Sequence, residues 1–144
     1  MSPGPGCPKD FDTSATLAAI LERKLPVFGV CLGLQAIVEH FGGELGTLDY
    51  PMHGKPSDVQ VRGGSLFEDV PAPFVAGRYH SLYAAQLPDE LEVTAVADEP
   101  EVVMAVQHRS LPIAAVQFHP ESILSADGER GMRIVANAVR SLAK

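Results

Sequence analysis

The segment around Cys31 constrains the fold of this chain more than any other part of the sequence. Residues 26–30 form a short apolar run, Pro-Val-Phe-Gly-Val, which is typical of a buried strand. After Cys31 the apolar residues recur at helical spacing, which favours an amphipathic helix that begins near Leu32. Cys31 is therefore predicted to lie in a sharp turn between a strand and a helix.

The glycines around this cysteine indicate how tight the turn is. Gly29 and Gly33 stand two residues before and two residues after Cys31, where side chains would crowd the backbone. The pattern resembles the Gly-x-Ser-x-Gly nucleophile turn of hydrolases, with sulfur in place of the hydroxyl. The amide of Leu32 has no partner inside the helix, and it can form half of an oxyanion hole. The alternative is that Cys31 is simply a buried core residue.

A second segment, at residues 118–122, carries the sequence Phe-His-Pro-Glu-Ser directly after another apolar run. It places a histidine and a carboxylate two residues apart at the end of a predicted strand. His119 can face a nucleophile there, while Glu121 accepts a hydrogen bond from the other ring nitrogen and fixes the tautomer. We expect a His119 imidazolium, more than the helix dipole, to lower the pKa of Cys31.

The third segment is the loop at residues 2–6, with the sequence Ser-Pro-Gly-Pro-Gly. Its prolines fix φ, and its glycines allow backbone conformations that are closed to other residues. Such a rigid loop with exposed amides can hold a substrate or complete an oxyanion hole. The alternative is an ordinary linker or a frayed terminus.

The cysteine turn, the distal His-Pro-Glu motif and the Gly-Pro-Gly loop together resemble the class I (triad) glutamine amidotransferases, along essentially the whole chain. The resemblance implies an α/β, flavodoxin-like fold of three layers with a mixed central sheet. It implies one glutamine amidotransferase domain over residues 1–144. Family members carry further strands before the Gly-Pro-Gly loop, so the expectation is an N-terminally truncated domain with an exposed strand edge.

The resemblance also assigns roles to individual residues. Cys31 would be the nucleophile, His119 the general base and acid, and Glu121 the residue that orients His119. The amides of Leu32 and Gly4 would form the oxyanion hole. The residues that would line the glutamine pocket are Gly4, Pro5, Gly6, Gln35, Ser81 and Leu82.

Two further segments resemble the branch of the family that serves chorismate enzymes. They are residues 52–57, Met-His-Gly-Lys-Pro-Ser, and residues 77–82, Gly-Arg-Tyr-His-Ser-Leu. With Val-Arg-Gly-Gly at residues 61–64, they look most like the amidotransferase portion of fused anthranilate synthases. By this resemblance His53 and Lys55 are candidate contacts with a synthase partner, and the alternative is that they are solvated loop residues.

The function implied is hydrolysis of L-glutamine and delivery of ammonia to a chorismate-using synthase, either a separate subunit or a fused domain. Anthranilate synthase in tryptophan biosynthesis is the first hypothesis, and aminodeoxychorismate synthase in folate biosynthesis is the alternative. No cofactor is implied, because any Mg²⁺ would belong to the partner. Two other hypotheses stay open: a catalytically inactive fragment that acts as an interaction module, and a γ-glutamyl hydrolase, against which the His53–Lys55 segment counts.

Charge and composition exclude other classes of function. The formal net charge is −7, and there are no basic clusters, which argues against nucleic acid or an anionic membrane as a partner. No run approaches the roughly 20 apolar residues that a membrane-spanning helix needs. The chain has two cysteines, and a required free thiol at Cys31 fits a reducing cytoplasm.

The remaining sequence is consistent with an α/β domain. A helix is predicted over residues 13–24, and strands over residues 58–62, 74–78, 91–97 and 102–108. A closing helix is predicted over residues 128–143, and its inward residues are expected to be Met132, Val135, Ala136 and Val139. His40 and His108 have no motif around them and are expected at the surface, whereas His80 can be a structural histidine.

Overall fold

The structure, a computed structural model, describes residues 1, 4–97 and 101–144. Its strands are β1 (Val27–Val30), β2 (Glu44–Val61), β3 (Phe74–Gln86), β4 (Leu91–Ala97), β5 (Val102–His108) and β6 (Ile113–Val116). Its α-helices are α1 (Thr13–Glu22), α2 (Leu32–His40) and α3 (Arg130–Leu142). None of the helices in these described ranges is long and apolar enough to cross a membrane.

The six strands form one mixed sheet, in the order β1-β6-β5-β4-β2-β3. β1 and β6 are parallel, and every other neighbouring pair is antiparallel. The mixed central sheet that the sequence predicted is therefore confirmed. β1 stands at one end of the sheet, where the amide of Val30 donates to the carbonyl of Met1 at 3.1 Å.

Helices cover both faces of this sheet, which gives three layers. β6 shows the arrangement, because its alternate residues belong to two different apolar clusters, with Ile113 and Ala115 on one side and Ala114 and Val116 on the other. The first cluster includes residues of α1 and α2, and the second includes residues of α3. Because β1 and β6 are parallel neighbours in the sheet, which is the middle layer, their carboxyl ends lie side by side.

The buried face of α3 differs from the predicted one. Met132 and Val139 are 64% and 68% exposed, and Ala136 is also exposed, whereas only Val135 is half-buried. The residues that face the core are instead Ile134, Ala138, Leu142 and Asn137. The polar Asn137 belongs to the buried face because its carboxamide donates to the carbonyls of Leu66 and Glu68, at 2.9 and 2.8 Å.

The β2–β3 hairpin is much longer than predicted. β2 begins at Glu44 rather than near residue 58, and β3 continues to Gln86 rather than ending near residue 78. Two prolines and two glycines interrupt the apolar alternation of β2, so the sequence pattern failed to indicate a strand. The interpretation of His53 and Lys55 as loop residues is therefore wrong, because both pair with β3.

The surface position expected for His108 is also wrong. This residue ends β5 and is only 6% exposed. Its Nδ1 accepts hydrogen bonds from the amides of Ser110 and Leu111 at 3.1 and 3.0 Å, so the ring closes the turn that leads to β6. His40 is half-buried at the end of α2, edge-on to the ring of Phe41.

Candidate active site

Cys31 lies between the last residue of β1 and the first residue of α2, as the sequence predicted. Its backbone has φ 54° and ψ −102°, a conformation that is strained for any residue with a side chain. A Cβ on Gly29 would lie 2.8 Å from the backbone carbon of Gly33, so the turn leaves no room for a side chain there. The cysteine turn is confirmed, and its strain is the kind found at functional sites.

The sulfur of Cys31 is buried among hydrogen-bonding groups. The residue is 5% exposed, Sγ lies 3.8 Å from the carbonyl oxygen of Tyr79, and Nε2 of Gln117 donates to Sγ at 3.5 Å. Burial raises the pKa of the Cys31 thiol above its ordinary value; the amides of Leu32 and Gln117 lower it, and the charge of Glu121 raises it further. The expected lowering of this pKa is therefore wrong for the resting protein. The thiol keeps its proton until a base removes it.

His119 and Glu121 form the pair that the sequence predicted. Nδ1 of His119 lies 2.7 Å from Oε1 of Glu121, so the ring donates to the carboxylate through Nδ1–H. In a neutral imidazole, a proton on Nδ1 leaves Nε2 as an acceptor. In the part of the chain that the structure describes, Nε2 is buried and has no hydrogen-bond partner. It is therefore an unused acceptor inside the protein.

Two residues that the sequence analysis missed hold His119 in place. Ser125 is buried, and its hydroxyl donates to the carbonyl of His119 at 2.7 Å while accepting from the amide of Gly77 at 2.9 Å. The ring of Tyr79 stands edge-on to the His119 ring, with centroids 5.1 Å apart. Because the Tyr79 carbonyl also contacts the Cys31 sulfur, one residue of β3 adjoins both members of the predicted pair. Ser125 carried no functional signal in the sequence, and Tyr79 entered only as a member of the segment 77–82, without a role of its own.

Gln35 and Leu82, both predicted to line a glutamine pocket, are brought together. Nε2 of Gln35 donates to the carbonyl of Leu82 and to Oε1 of Gln117, each at 3.3 Å. Both hydrogens of the Gln35 amide are thus used within the protein, which leaves only its oxygen for a ligand. Ser81 and Leu82 are half-buried in β3. Their roles as pocket residues stay predictions.

The Gly-Pro-Gly loop is exposed at Gly4, Pro5 and Gly6. A Cβ on Gly33 would lie 2.9 Å from the carbonyl oxygen of Met1, so the chain enters this loop from beside the cysteine turn. Among the described residues, no hydrogen bond joins the loop to Cys31. The oxyanion role of Gly4 therefore stays a prediction. Ser2 and Pro3 lie outside the described residues.

Comparison with known proteins identifies the family of this chain. The model of the family described as "Glutamine amidotransferase class-I" matches residues 1–139. The chain belongs to this family. A solved glutamine amidotransferase of Thermotoga maritima has the same fold, with a TM-score of 0.73 and 16% identity over 99% of this chain and 73% of that one. The predicted class I glutamine amidotransferase fold is confirmed.

Curated relatives of this glutamine amidotransferase are named after chorismate enzymes. It is 55% identical to "Anthranilate synthase" of Azospirillum brasilense, over 99% of this chain and 20% of that protein. It is 44% identical to "Anthranilate synthase component 2" of Methanocaldococcus jannaschii, over 98% of this chain and 73% of that protein. It is also 44% identical to "Aminodeoxychorismate/anthranilate synthase component 2" of Bacillus subtilis, over 92% of this chain and 69% of that protein. The chain thus spans one fifth of the first relative.

His53 and Lys55 lie on the exposed part of β2, opposite Tyr79 and Arg78 of β3. Since Tyr79 adjoins the catalytic candidates, these two side chains stand on the strand next to the site. Between Thr47 and Met52 the pairing skips, so that residues 48–51 bulge out of the hairpin, and Tyr50 there is 81% exposed. The predicted partner contact of His53 and Lys55 stays a prediction.

Arg78 and His80 form a buried pair behind the site. The arginine is 1% exposed, and its Nε donates to Nε2 of His80 at 2.9 Å. The histidine therefore carries its proton on Nδ1, which donates to the carbonyl of Leu82 at 2.7 Å. This geometry favours the structural interpretation of His80. Burial, with a smaller contribution from the charge of Arg78, lowers the pKa of His80 to about 4.

The pKa of His80 predicts an acid-sensitive fold. In the unfolded chain His80 binds a proton near pH 6.5, whereas in the folded protein it does so only near pH 4. Acid therefore favours the unfolded state between these values, and this residue alone should cost about 3 kcal/mol of stability as the pH falls from 6.5 to 4. Denaturant titrations of the wild type and of His80→Gln at several pH values measure the difference.

The stability of His80→Gln should vary less with pH across that window, even if it is lower at pH 7. His53→Gln is the matched control for the loss of a histidine, because His53 is exposed and lacks the burial that lowers the pKa of His80. Equal slopes for the wild type and His80→Gln would contradict the lowered pKa of His80.

Proposed function

We propose that this chain is the glutaminase domain, over residues 1–144, of an anthranilate synthase in the cytoplasm. It hydrolyses L-glutamine with Cys31, His119 and Glu121, and passes ammonia to a synthase component that aminates chorismate. The observation that supports this most is that Tyr79 contacts both a buried thiol on a strained turn and the ring of His119, whose Nδ1 is bound to Glu121 and whose Nε2 is buried without a partner among the described residues.

The first half of the reaction forms a thioester. Nε2 of His119 removes the proton of the Cys31 thiol, and the sulfur attacks the side-chain carboxamide carbon of glutamine. The carbonyl oxygen becomes an oxyanion, which accepts a hydrogen bond from the amide of Leu32 and, in this proposal, from Gly4. His119 then gives its proton to the departing nitrogen. Ammonia leaves, and the glutamyl group stays bound to sulfur.

The second half of the reaction regenerates the enzyme. His119 removes a proton from water, and the resulting hydroxide attacks the carbonyl carbon of the thioester. The carbon–sulfur bond breaks, the sulfur leaves as thiolate, and it recovers a proton from His119. Glutamate is the second product. In this proposal Glu121 holds Nδ1–H throughout, so that Nε2 faces the reacting atoms.

The raised pKa of Cys31 agrees with this sequence of events. A resting thiolate would be costly in such a buried position, so in this proposal His119 removes the proton as the sulfur attacks the substrate carbon.

The ammonia released must reach its acceptor unprotonated, because ammonium has no lone pair with which to attack a carbon atom. This requirement favours direct delivery to a docked synthase over release into water. The relatives named anthranilate synthase support chorismate amination as the use of that ammonia. We propose that the synthase, a separate subunit or a fused domain, contacts the exposed part of β2 that carries His53 and Lys55.

The test combines this chain with an anthranilate synthase component I and, separately, with an aminodeoxychorismate synthase component I, with glutamine as the nitrogen source. Glutamate release and anthranilate formation in the first mixture are the expected result. Aminodeoxychorismate as the product instead would support the folate alternative. Cleavage of γ-glutamyl peptides without a synthase would support a γ-glutamyl hydrolase, and no glutamate in any mixture would support an interaction module.

A further inference from the structure

Gln117 is a buried polar residue that the mechanism above does not use. It follows β6 directly and is 0% exposed. Its backbone amide donates to the carbonyl of Met104 at 2.8 Å, and its side chain extends between Gln35 and Cys31. A carboxamide with no access to water must form its hydrogen bonds inside the protein, so its contacts show which groups it pairs with.

Hydrogen-bond polarity fixes which end of the Gln117 amide meets the sulfur. The carbonyl oxygen of Leu82 can only accept, so Gln35 must present its nitrogen to it. The same nitrogen of Gln35 contacts the side-chain oxygen of Gln117, which must therefore be an acceptor. The remaining end of Gln117, its NH₂ group, is the end that points to Sγ of Cys31. The positions of the oxygen and the nitrogen of the Gln117 amide therefore follow from the hydrogen-bond network, because the two ends of an amide have nearly the same shape.

The buried Arg78–His80 pair, at the other end of this hydrogen-bond network, is consistent with the assignment. Arg78 can only donate, so His80 accepts at Nε2 and donates from Nδ1 to the same carbonyl of Leu82. Each hydrogen bond that links Arg78 to the Cys31 sulfur, through His80, Leu82, Gln35 and Gln117, then joins a donor to an acceptor. A flipped Gln117 would break this order, because its oxygen would face the sulfur and its nitrogen would face the nitrogen of Gln35.

We propose that Gln117 is a further catalytic residue, whose side-chain amide donates a hydrogen bond to the Cys31 thiolate in both halves of the reaction. Its catalytic meaning rests on the proposed glutaminase function, whereas the hydrogen bond itself does not. The amide of Leu32 cannot serve the sulfur throughout, since it is needed by the oxyanion once the substrate carbonyl arrives. Gln117 is the donor that remains with the sulfur, and it also stabilises the thiolate when it leaves the thioester.

The test measures the pH dependence of Cys31 alkylation by iodoacetamide, followed by mass spectrometry. A Cys7→Ser background removes the second free thiol. Gln117→Met keeps a buried side chain of similar length but cannot donate a hydrogen bond. Because hydrogen bonds to charged groups are stronger than neutral ones, the alkylation pKa of Cys31 should rise by about one to two units. Glutamine turnover, measured as kcat, should fall by about tenfold or more, with a smaller change in KM.

Gln107→Met is the matched control for the same chemical change at another partly buried glutamine. Gln107 lies in β5 and accepts from the amide and hydroxyl of Ser65, at 3.0 and 3.2 Å. Its replacement should affect stability but leave the thiol pKa of Cys31 unchanged. Gln35→Met is the second variant if Gln117→Met fails to fold. Without the donor that orients Gln117, the alkylation pKa should rise by a smaller amount.

The two readouts separate this proposal from the proposed function. A thiol pKa that is the same in the wild type and in folded Gln117→Met would overturn the role of Gln117, even with full glutaminase activity in the wild type. The opposite result is a raised thiol pKa in Gln117→Met together with a wild type that hydrolyses no glutamine in the presence of either synthase. It would support the hydrogen bond from Gln117 and contradict the proposed glutaminase function. An equal shift in Gln107→Met would also count against Gln117.

Discussion

Cys31→Ala is expected to abolish glutamine-dependent amination while amination from free ammonia by the synthase partner continues. The variant lacks the only sulfur at the strained turn, and without it no thioester can form. Loss of a nucleophile that acts together with its base costs at least about a thousandfold in turnover. The measurement compares product formation from glutamine and from ammonium salts, with the chain bound to its synthase.

Cys7→Ala is the matched control for this variant. Cys7 is a half-buried free thiol in the loop before α1, and the bond from its backbone amide to Asp10 survives the exchange. It should keep full glutamine-dependent activity. Glutamate release by Cys31→Ala would remove Cys31 from its role. A loss of ammonia-dependent synthesis in Cys31→Ala would mean instead that the exchange disturbs docking of the synthase.

The part of the site that could be predicted from sequence is the part that local geometry determines. The strand, the turn at Cys31 and the helix follow one another directly, and Gly29 is required there because a Cβ on it would overlap the backbone of Gly33. His119 and Glu121 are two residues apart, so their pairing also needs no knowledge of the rest of the fold. Such short-range features leave a clear pattern in the sequence.

The supporting residues could not be predicted, because sheet register determines where they lie. Tyr79 and Gln117 reach the Cys31 sulfur across separations of 48 and 86 residues. Neither residue type signals a functional site on its own. Only the position of β3 and β6 in the sheet brings them to the turn. The same holds for Ser125, whose hydroxyl joins the His119 segment to β3.

The wrong predictions for α3 and β2 have related causes. The sequence of α3 offers two apolar stripes, and a buried Asn137 decides between them through hydrogen bonds to a distant loop. In β2, prolines and glycines conceal a strand that a long partner, β3, nevertheless stabilises by continuous pairing. In both cases a tertiary contact outweighed the local pattern.

Gly131, in the first turn of α3, predicts the second large effect. A Cβ at this position would overlap the carbonyl oxygen of Pro120 and lie 3.1 Å from that of Ser125. Both are backbone atoms of the segment that carries His119, so no side-chain rotation can relieve the contact. Gly131→Ala should therefore move α3 away from this segment.

Gly131→Ala changes the free energy of unfolding in two opposite ways, and the larger of the two decides the sign of the net change. Alanine in place of glycine favours a helix by about 1 kcal/mol, whereas overpacking of a well-packed site costs about 1–3 kcal/mol and more against rigid backbone. Because the overlap is with rigid backbone, the overpacking cost should reach or exceed the upper end of that range, which gives a net loss of about 2 kcal/mol or more in denaturant unfolding. Glutaminase activity should also fall, because His119 is displaced. Ala136→Gly, at an exposed position of the same helix, measures the propensity term alone and should cost only about 1 kcal/mol. A Gly131→Ala protein more stable than the wild type would show that α3 does not press on the catalytic segment.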